Sequence, residues 1–251
     1  MRGFRLGRRS EDEGERPFWI SFADLMTALM VLFLVVMVVS LISLNRAVAE
    51  NNELADRYRT QQRADREQAQ RVAEQEAKKD EFWNQLERST RALEVSIDRR
   101  TGTINFGDRG RFALGSDRLD PADQTLLRRF VPLLLDAVQS PAGRRVVNRV
   151  NVEGYADTSG TYLGNLNLSS NRSQRVLCTL LADGAPNGLS NDEKDLIRSL
   201  FVVGGFSSNN LRKSPAASRR VEISVDLLGA NERRQPSPRQ EGSPGSCPLG
   251  G

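Results

Sequence analysis

Between Phe18 and Leu44 the chain runs for 27 residues with one formal charge, Asp24, and without glycine or proline. As a helix this run reaches about 40 Å, more than the ~30 Å hydrocarbon core of a bilayer. A secretory leader would have a shorter apolar stretch, roughly 7–15 residues, closed by a small-residue cleavage site. The flank Asn45-Arg46-Ala47-Val48-Ala49-Glu50 is a poor one. The run therefore predicts an uncleaved membrane-spanning anchor over residues 18–44. Arg2, Arg5, Arg8, Arg9 and Arg16 precede it, against Arg46, Arg57 and Arg59 shortly after. That bias predicts a cytoplasmic tail over residues 1–17, and a chain that continues outside the cytoplasm.

Asp24 is the costly residue in this span. A charged side chain at the centre of a membrane helix costs about 2.5–3.5 kcal/mol on insertion scales. Ser21, Thr27 and Ala28 lie one turn away on the same face, and Val31 continues the stripe. A small, polar stripe lets a partner helix approach closely, while Leu25, Met26, Leu29, Leu32 and Phe33 suit lipid. A carboxyl so placed can take up and release a cation. One charge moving through 100 mV gains about 2.3 kcal/mol. The competing reading is that Asp24, six residues into the run, caps the helix or snorkels to the interface.

Function classes narrow by composition. The chain has no histidine, which removes His-based metal sites and His general bases. Its two cysteines, Cys178 and Cys247, lack metal-ligand spacing. No catalytic carboxylate pair is evident, so neither an enzyme nor a cofactor is expected. Net charge is +4, but acids interleave with the arginines, and no concentrated basic face for direct nucleic-acid binding stands out. Cys178 falls on the apolar side of a helix and reads as a buried free thiol, with a bridge to Cys247 as the alternative.

Residues 45–92 are rich in Arg, Glu, Gln and Ala. Apolar residues such as Leu54, Tyr58, Val72, Phe82 and Leu86 are too sparse for a heptad seam. A polar helical connector is predicted, with a partly disordered spacer as the alternative. A folded domain is expected over 93–228, with strands and helices alternating. Its pattern predicts a hairpin around Arg99–Gly102 and a helix from Asp120 to Gln139 with Pro132 as a kink point. Further along it predicts a strand at Arg149–Tyr155 and a helix from Ser169 to Ala182. A capped helix at Ser190–Leu200 and strands at 201–206 and 219–228 follow. Residues 229–251, rich in Pro, Gly and Ser, are expected to be disordered.

Two resemblances cover most of this plan. Ala23-Asp24-Leu25-Met26-Thr27-Ala28-Leu29-Met30, after the aromatic pair Phe18-Trp19, resembles the membrane helix of MotB, the ion-carrying subunit of flagellar stators. The stretch FALGSDRLDPADQTLL, the core GYADTSGTYLGNLNLSSNRSQRV and the closing SRRVEISV resemble, in that order, an OmpA-like peptidoglycan-binding domain. The fold implied is α+β: a single membrane helix, a helical connector and a mixed α/β sandwich. The start Arg16-Pro17-Phe18-Trp19-Ile20-Ser21, with the span that follows, is most similar to the ZorB family of the Zorya anti-phage defence systems.

The resemblances imply roles. Asp24 would carry the cation, a proton or alternatively sodium. A MotA-like multi-helix partner would enclose the path, five partner subunits around a homodimer of this chain. Diaminopimelate of the peptidoglycan stem peptide ends in an ammonium and a carboxylate, which suit an acid and a guanidinium fork. The matching positions are Asp157 and Arg172, with Asn165 and Thr158 as further contacts. An internal Asp157–Arg172 salt bridge is the competing reading, and helix amides near Ser169 would help hold the carboxylate. Ala156, Ser173 and Gln174 depart from the family's pattern, as does an insertion-like stretch at 207–217. The implied function is an ion-conducting, wall-anchored stator subunit of the bacterial inner membrane. A flagellar stator subunit and a passive wall tether are the alternatives.

Overall fold

The computed structural model describes residues 16–184, 188–234 and 245–249. The predicted tail 1–15 lies outside these, as do residues 235–244 and 250–251 of the segment expected to be disordered. The chain divides into two compact units, up to Gln68 and from Ala69.

The first unit is helical. Helix α1 spans Arg16–Thr90, and its apolar part has a mean hydropathy of 3.0 over 18 residues. With no glycine or proline between Phe18 and Thr101, nothing interrupts the i to i−4 ladder. The side chains described between Trp19 and Leu44 are all exposed, as befits a surface made for lipid or partner helices rather than for this chain's own core.

The second unit is the α+β domain. After α1 and a 3-10 turn at Arg91–Leu93, Glu94 takes a left-handed conformation (φ 55°) and turns the chain into a hairpin. The hairpin pairs β1 (Ser96–Asp98) with β2 (Thr103–Asn105), as the sequence pattern predicts. Helix α2 (Pro121–Gln139) follows, then the single turn α3 (Gly143–Val146) and strand β3 (Val147–Gly154). Next come α4 (Tyr162–Leu181), α5 (Asn191–Leu200), β4 (Phe201–Gly205), α6 (Pro215–Ser218) and β5 (Val221–Leu227). The sheet order is β1-β2-β5-β3-β4, with β3 and β4 parallel and the other pairs antiparallel. Alternation along β3 and β5 turns Val150, Val152, Ile223 and Val225 inward, onto a core shared with Phe130 and Leu134 of α2 and Val176 and Leu180 of α4.

Several local expectations shift. Asp120 stands at the N-cap of α2, but its side chain makes no cap bond. Pro121 holds the first position, and the helix continues through Pro132. Ser190 caps α5 as expected, and Glu193 completes a reciprocal capping box. Helix α4 starts at Tyr162, seven residues before the predicted Ser169, where Thr161 Oγ1 accepts from the Gly164 amide at 3.2 Å. Gly164, Asn165 and Asn167 are weak helix formers, and the early turns form through packing rather than propensity.

Two further differences concern the ends of the domain. Phe82, Trp83 and Leu86, assigned to the connector on sequence, are at most 2% exposed and belong to the core. Their spacing is too sparse for a coiled coil but sufficient for one docking patch. Gln75 Nε2 also donates to the Leu228 carbonyl at 3.1 Å. The free thiol expected at Cys178 is instead a disulfide to Cys247, which ties residues 245–249 to α4. The Arg234 guanidinium donates to the Val147 carbonyl, so part of the tail predicted to be disordered lies on the domain.

A full helical turn outside the predicted boundary is thus part of the core. Leu86→Ala is expected to destabilise the domain by about 2–5 kcal/mol, measured by denaturant unfolding of the chain in detergent. Substitution of the exposed Leu54 to Ala should change stability by less than about 0.5 kcal/mol.

Candidate functional sites

The first candidate lies on α1. Asp24, Thr27, Ala28 and Val31 of the predicted stripe line one shallow groove along the helix, together with Val35, Val36 and Leu32, the last of which the sequence assigns to the lipid-facing side. Thr27 Oγ1 donates to the Ala23 carbonyl at 2.7 Å, which satisfies the hydroxyl within the helix and leaves the strip slim. Asp24 itself is exposed, and no described side chain pairs with it. Ser21 lies in α1, and its side chain is outside those described.

The second candidate forms where β3 ends. A Cβ on Gly154 would come within 1.9 Å of the Ser169 carbonyl oxygen, so only glycine lets α4 approach β3 this closely. Beyond it, the Tyr155 amide donates to the Arg220 carbonyl at 2.9 Å and the Ala156 amide to the Ser207 carbonyl at 2.8 Å. These bonds fix the path of Tyr155-Ala156-Asp157 and deliver Asp157 to a nearly buried position, 4% exposed. Asn165, on the first turn of α4, donates from Nδ2 to the Asp157 carbonyl at 2.9 Å. Thr158 is exposed beside it. The helix N-terminus lies at Thr161–Tyr162, not near Ser169, so the amides expected to assist at Ser169 are inside the helix.

Asp157 and Arg172 do not form the direct ion pair weighed on sequence. Asp157 Oδ2 accepts from Arg219 NH1 at 2.8 Å, and Oδ1 accepts from the Ser159 amide at 2.9 Å. Arg172 sits in the middle of α4, not in its first turn, and is fully buried. Its fork is spent on carbonyls: Nε to Ser116 at 2.9 Å, NH1 to Tyr155 at 2.8 Å and NH2 to Ala113 at 3.3 Å. The guanidinium carbon lies 5.0 Å from the centre of the Phe112 ring. Arg219 Nε donates to the Phe112 carbonyl at 3.0 Å, so both arginines hold the same loop, Phe112–Asp117.

The electrostatics follow from this arrangement. Burial pushes the Arg172 guanidinium down to about 10, with Arg219 adding to the effect and Asp157 opposing it. Burial alone would raise the Asp157 carboxyl. The Arg219 and Ser159 hydrogen bonds outweigh it and hold the group below its ordinary value. Arg219 alone pairs directly with Asp157, while Arg172 feels Asp157 and Asp117 only through their charge. Arg219 is not among the site residues expected from the sequence; its place two residues before β5, in Ser218-Arg219-Arg220, is the signal that points to it.

A lowered carboxyl contributes stability above its unfolded value, near 4, and loses that contribution as pH falls through the native one. Asp157→Asn is therefore expected to destabilise the domain by about 1–3 kcal/mol at neutral pH. Its gap to the parent should close below about pH 4, as read by denaturant unfolding at stepped pH.

Comparison with known proteins places the chain in a family. A family model described as membrane MotB of the proton-channel complex MotA/MotB matches residues 6–49. Among solved structures, the chain is similar to the cell wall anchor of the T6SS from Pseudomonas aeruginosa, 26% identical (TM-score 0.36, 57% of this chain and 97% of that one). It is similar also to the OmpA-like domain of FopA1 from Francisella tularensis, 23% identical (TM-score 0.35, 55% and 82%). The periplasmic domain of Helicobacter pylori MotB is 19% identical (TM-score 0.39, 57% and 86%). Zorya protein ZorB of Escherichia coli O139:H28 is 39% identical over 235 residues, covering 92% of this chain and 89% of that protein. With that identity along nearly its whole length, the chain belongs to the ZorB family.

Proposed function

We propose that the chain is the ion-carrying, wall-anchored stator subunit of a membrane motor that serves anti-phage defence. The observation that carries this reading is one acid, Asp24, set beside Thr27 and Ala28 in a groove of an otherwise apolar helix. A lone helix cannot solvate that carboxyl within hydrocarbon, so helices of other subunits must enclose it. The proposed partner is a MotA-like multi-helix subunit, five copies around two of this chain. The cation is a proton, since one titrating acid suffices, with sodium as the variant reading.

In this proposal the N-terminus is cytoplasmic and the domain from Ala69 onward lies in the periplasm of a single-pass inner-membrane protein. There Asp157 takes the ammonium of a diaminopimelate stem peptide. Arg219 takes its carboxylate, the buried Arg172 acts beneath it through its charge and the carbonyls it holds, Asn165 holds the Asp157 backbone and Thr158 lies at the rim. Wall attachment supplies the fixed point against which an ion-driven partner turns. Membership of the ZorB family favours defence over flagellar rotation.

Asp24→Asn is nearly isosteric and cannot ionise. It is expected to abolish phage protection, down to the level of a strain lacking the gene, while membrane assembly and wall binding persist. Full protection by this variant would reject the ion-carrying role and leave a passive tether. Asp157→Ala is expected to reduce retention of the purified chain on isolated sacculi by about tenfold, the worth of one charge-assisted hydrogen bond. Equal retention of parent and variant would reject the wall-binding site.

A further inference from the structure

Three residues on one face of α4, spaced i, i+3 and i+6, link the tail to the candidate wall-binding site. Arg172 is the buried guanidinium that donates to Tyr155, Ser116 and Ala113. One turn on, Arg175 NH2 donates to Asp117 Oδ2 at 3.0 Å and to the Leu249 carbonyl at 3.1 Å. A further turn on, Cys178 is bonded to Cys247. The Arg175–Asp117 pair is well shielded, with side chains 14% and 24% exposed. Pairs of this kind gain more from fixed geometry than surface pairs do.

The loop Phe112–Asp117 is therefore gripped twice from α4. Arg172 holds it at Ala113 and Ser116, and Arg175 holds it at Asp117, the residue next to Ser116. Arg175 is in turn shared with the tail through Leu249, two residues beyond the disulfide. The same loop offers the Phe112 carbonyl to Arg219, the partner of Asp157. Loop, tail and both site arginines form one connected set. The loop is also closed by a Ser116 amide to Ala113 carbonyl bond at 3.1 Å and anchored by the buried Phe112, but its tip, Ala113, Leu114 and Gly115, is exposed, with Gly115 at φ 67°.

We propose that residues 245–249, fastened by the Cys178–Cys247 disulfide, are a positioning strap for the wall-binding site. The strap fixes Arg175, Arg175 fixes Asp117, and the loop so held sets the carbonyls and ring against which Arg172 and Arg219 are placed. This rests on the wall-binding reading proposed above. Closing the strap joins two thiols and removes two protons and two electrons. A protein disulfide accepts these by thiol–disulfide exchange and becomes a dithiol. Such oxidation persists outside the cytoplasm and not within it. The site then reaches full affinity only after the domain has left the cytoplasm.

The test measures sacculus binding by the full chain in detergent. The oxidised parent is compared with the same protein after dithiothreitol, with Cys247→Ser, and with Asp117→Asn, whose disulfide is intact. Each of the three is expected to bind about fivefold more weakly, the scale of a modest coupling between sites, with unchanged far-UV circular dichroism. Reoxidation is expected to restore the parent and not Cys247→Ser, which a mere loss of folded protein would not produce. Equal affinity of the oxidised parent, the reduced parent and Cys247→Ser overturns the strap. Loss of affinity on reduction with none in Asp117→Asn overturns the route through Arg175. Asp157→Ala separates the two levels of inference. If it binds like the parent, the wall-binding site itself fails. If it is weakened while reduction has no effect, only the strap fails.

Discussion

A fully buried guanidinium organises the folded domain. Arg172 cannot leave its charge in water, and the domain surrounds it with carbonyl oxygens from the β3 exit and from the Phe112–Asp117 loop, plus an aromatic face. Buried charges need such company, because an uncompensated one costs several kcal/mol. The requirement fixes two otherwise separate pieces of chain against one helix. Gly154 makes it possible by letting α4 lie almost on the strand. Asp157, which ionises more readily than an ordinary carboxyl, sits at the edge of this arrangement with Arg219 as its direct partner. The placement of Asp157 and Arg219 thus follows from burying an arginine well.

Much of this was legible from residue order. The apolar run, the lone Asp24 and its Ser/Thr/Ala stripe are local features, and helical geometry converts them directly into a strip of surface. The hairpin, the α5 capping box and the inward alternation of Val221, Ile223 and Val225 are likewise written in spacing. What escaped was non-local. The partner of Asp157 lies 62 residues away at Arg219, and no periodicity reports such a pairing. The start of α4 was misplaced because Gly164 and Asn165 have poor intrinsic propensity, while packing against β3 and β4 supplies the missing stability. Phe82, Trp83 and Leu86 looked like scattered apolar residues on a polar helix, since a single patch has no repeat to detect. The disulfide joins positions 69 apart across a stretch that resembles linker in composition.

The two units call on different physics for their specificity. On α1, a few small side chains and one acid distinguish a face from its greasy surroundings, and contrast matters more than complementarity. In the domain, a set of directed hydrogen bonds to carbonyls defines the positions of the side chains. Family membership brings both together in one chain, at 39% identity to a ZorB protein.

The position of β5 has a consequence for how the domain comes into being. It is the last strand among the described residues, yet it lies in the interior of the sheet, between β2 and β3, with Val150 paired to Val225 and Ile104 to Ile223. Until that strand arrives, the hairpin and the β3–β4 pair have no common seam. Contacts so distant in sequence make for slow, late consolidation. A chain emerging N-terminus first would keep the domain's central seam open until β5 was available, whatever the state of α1.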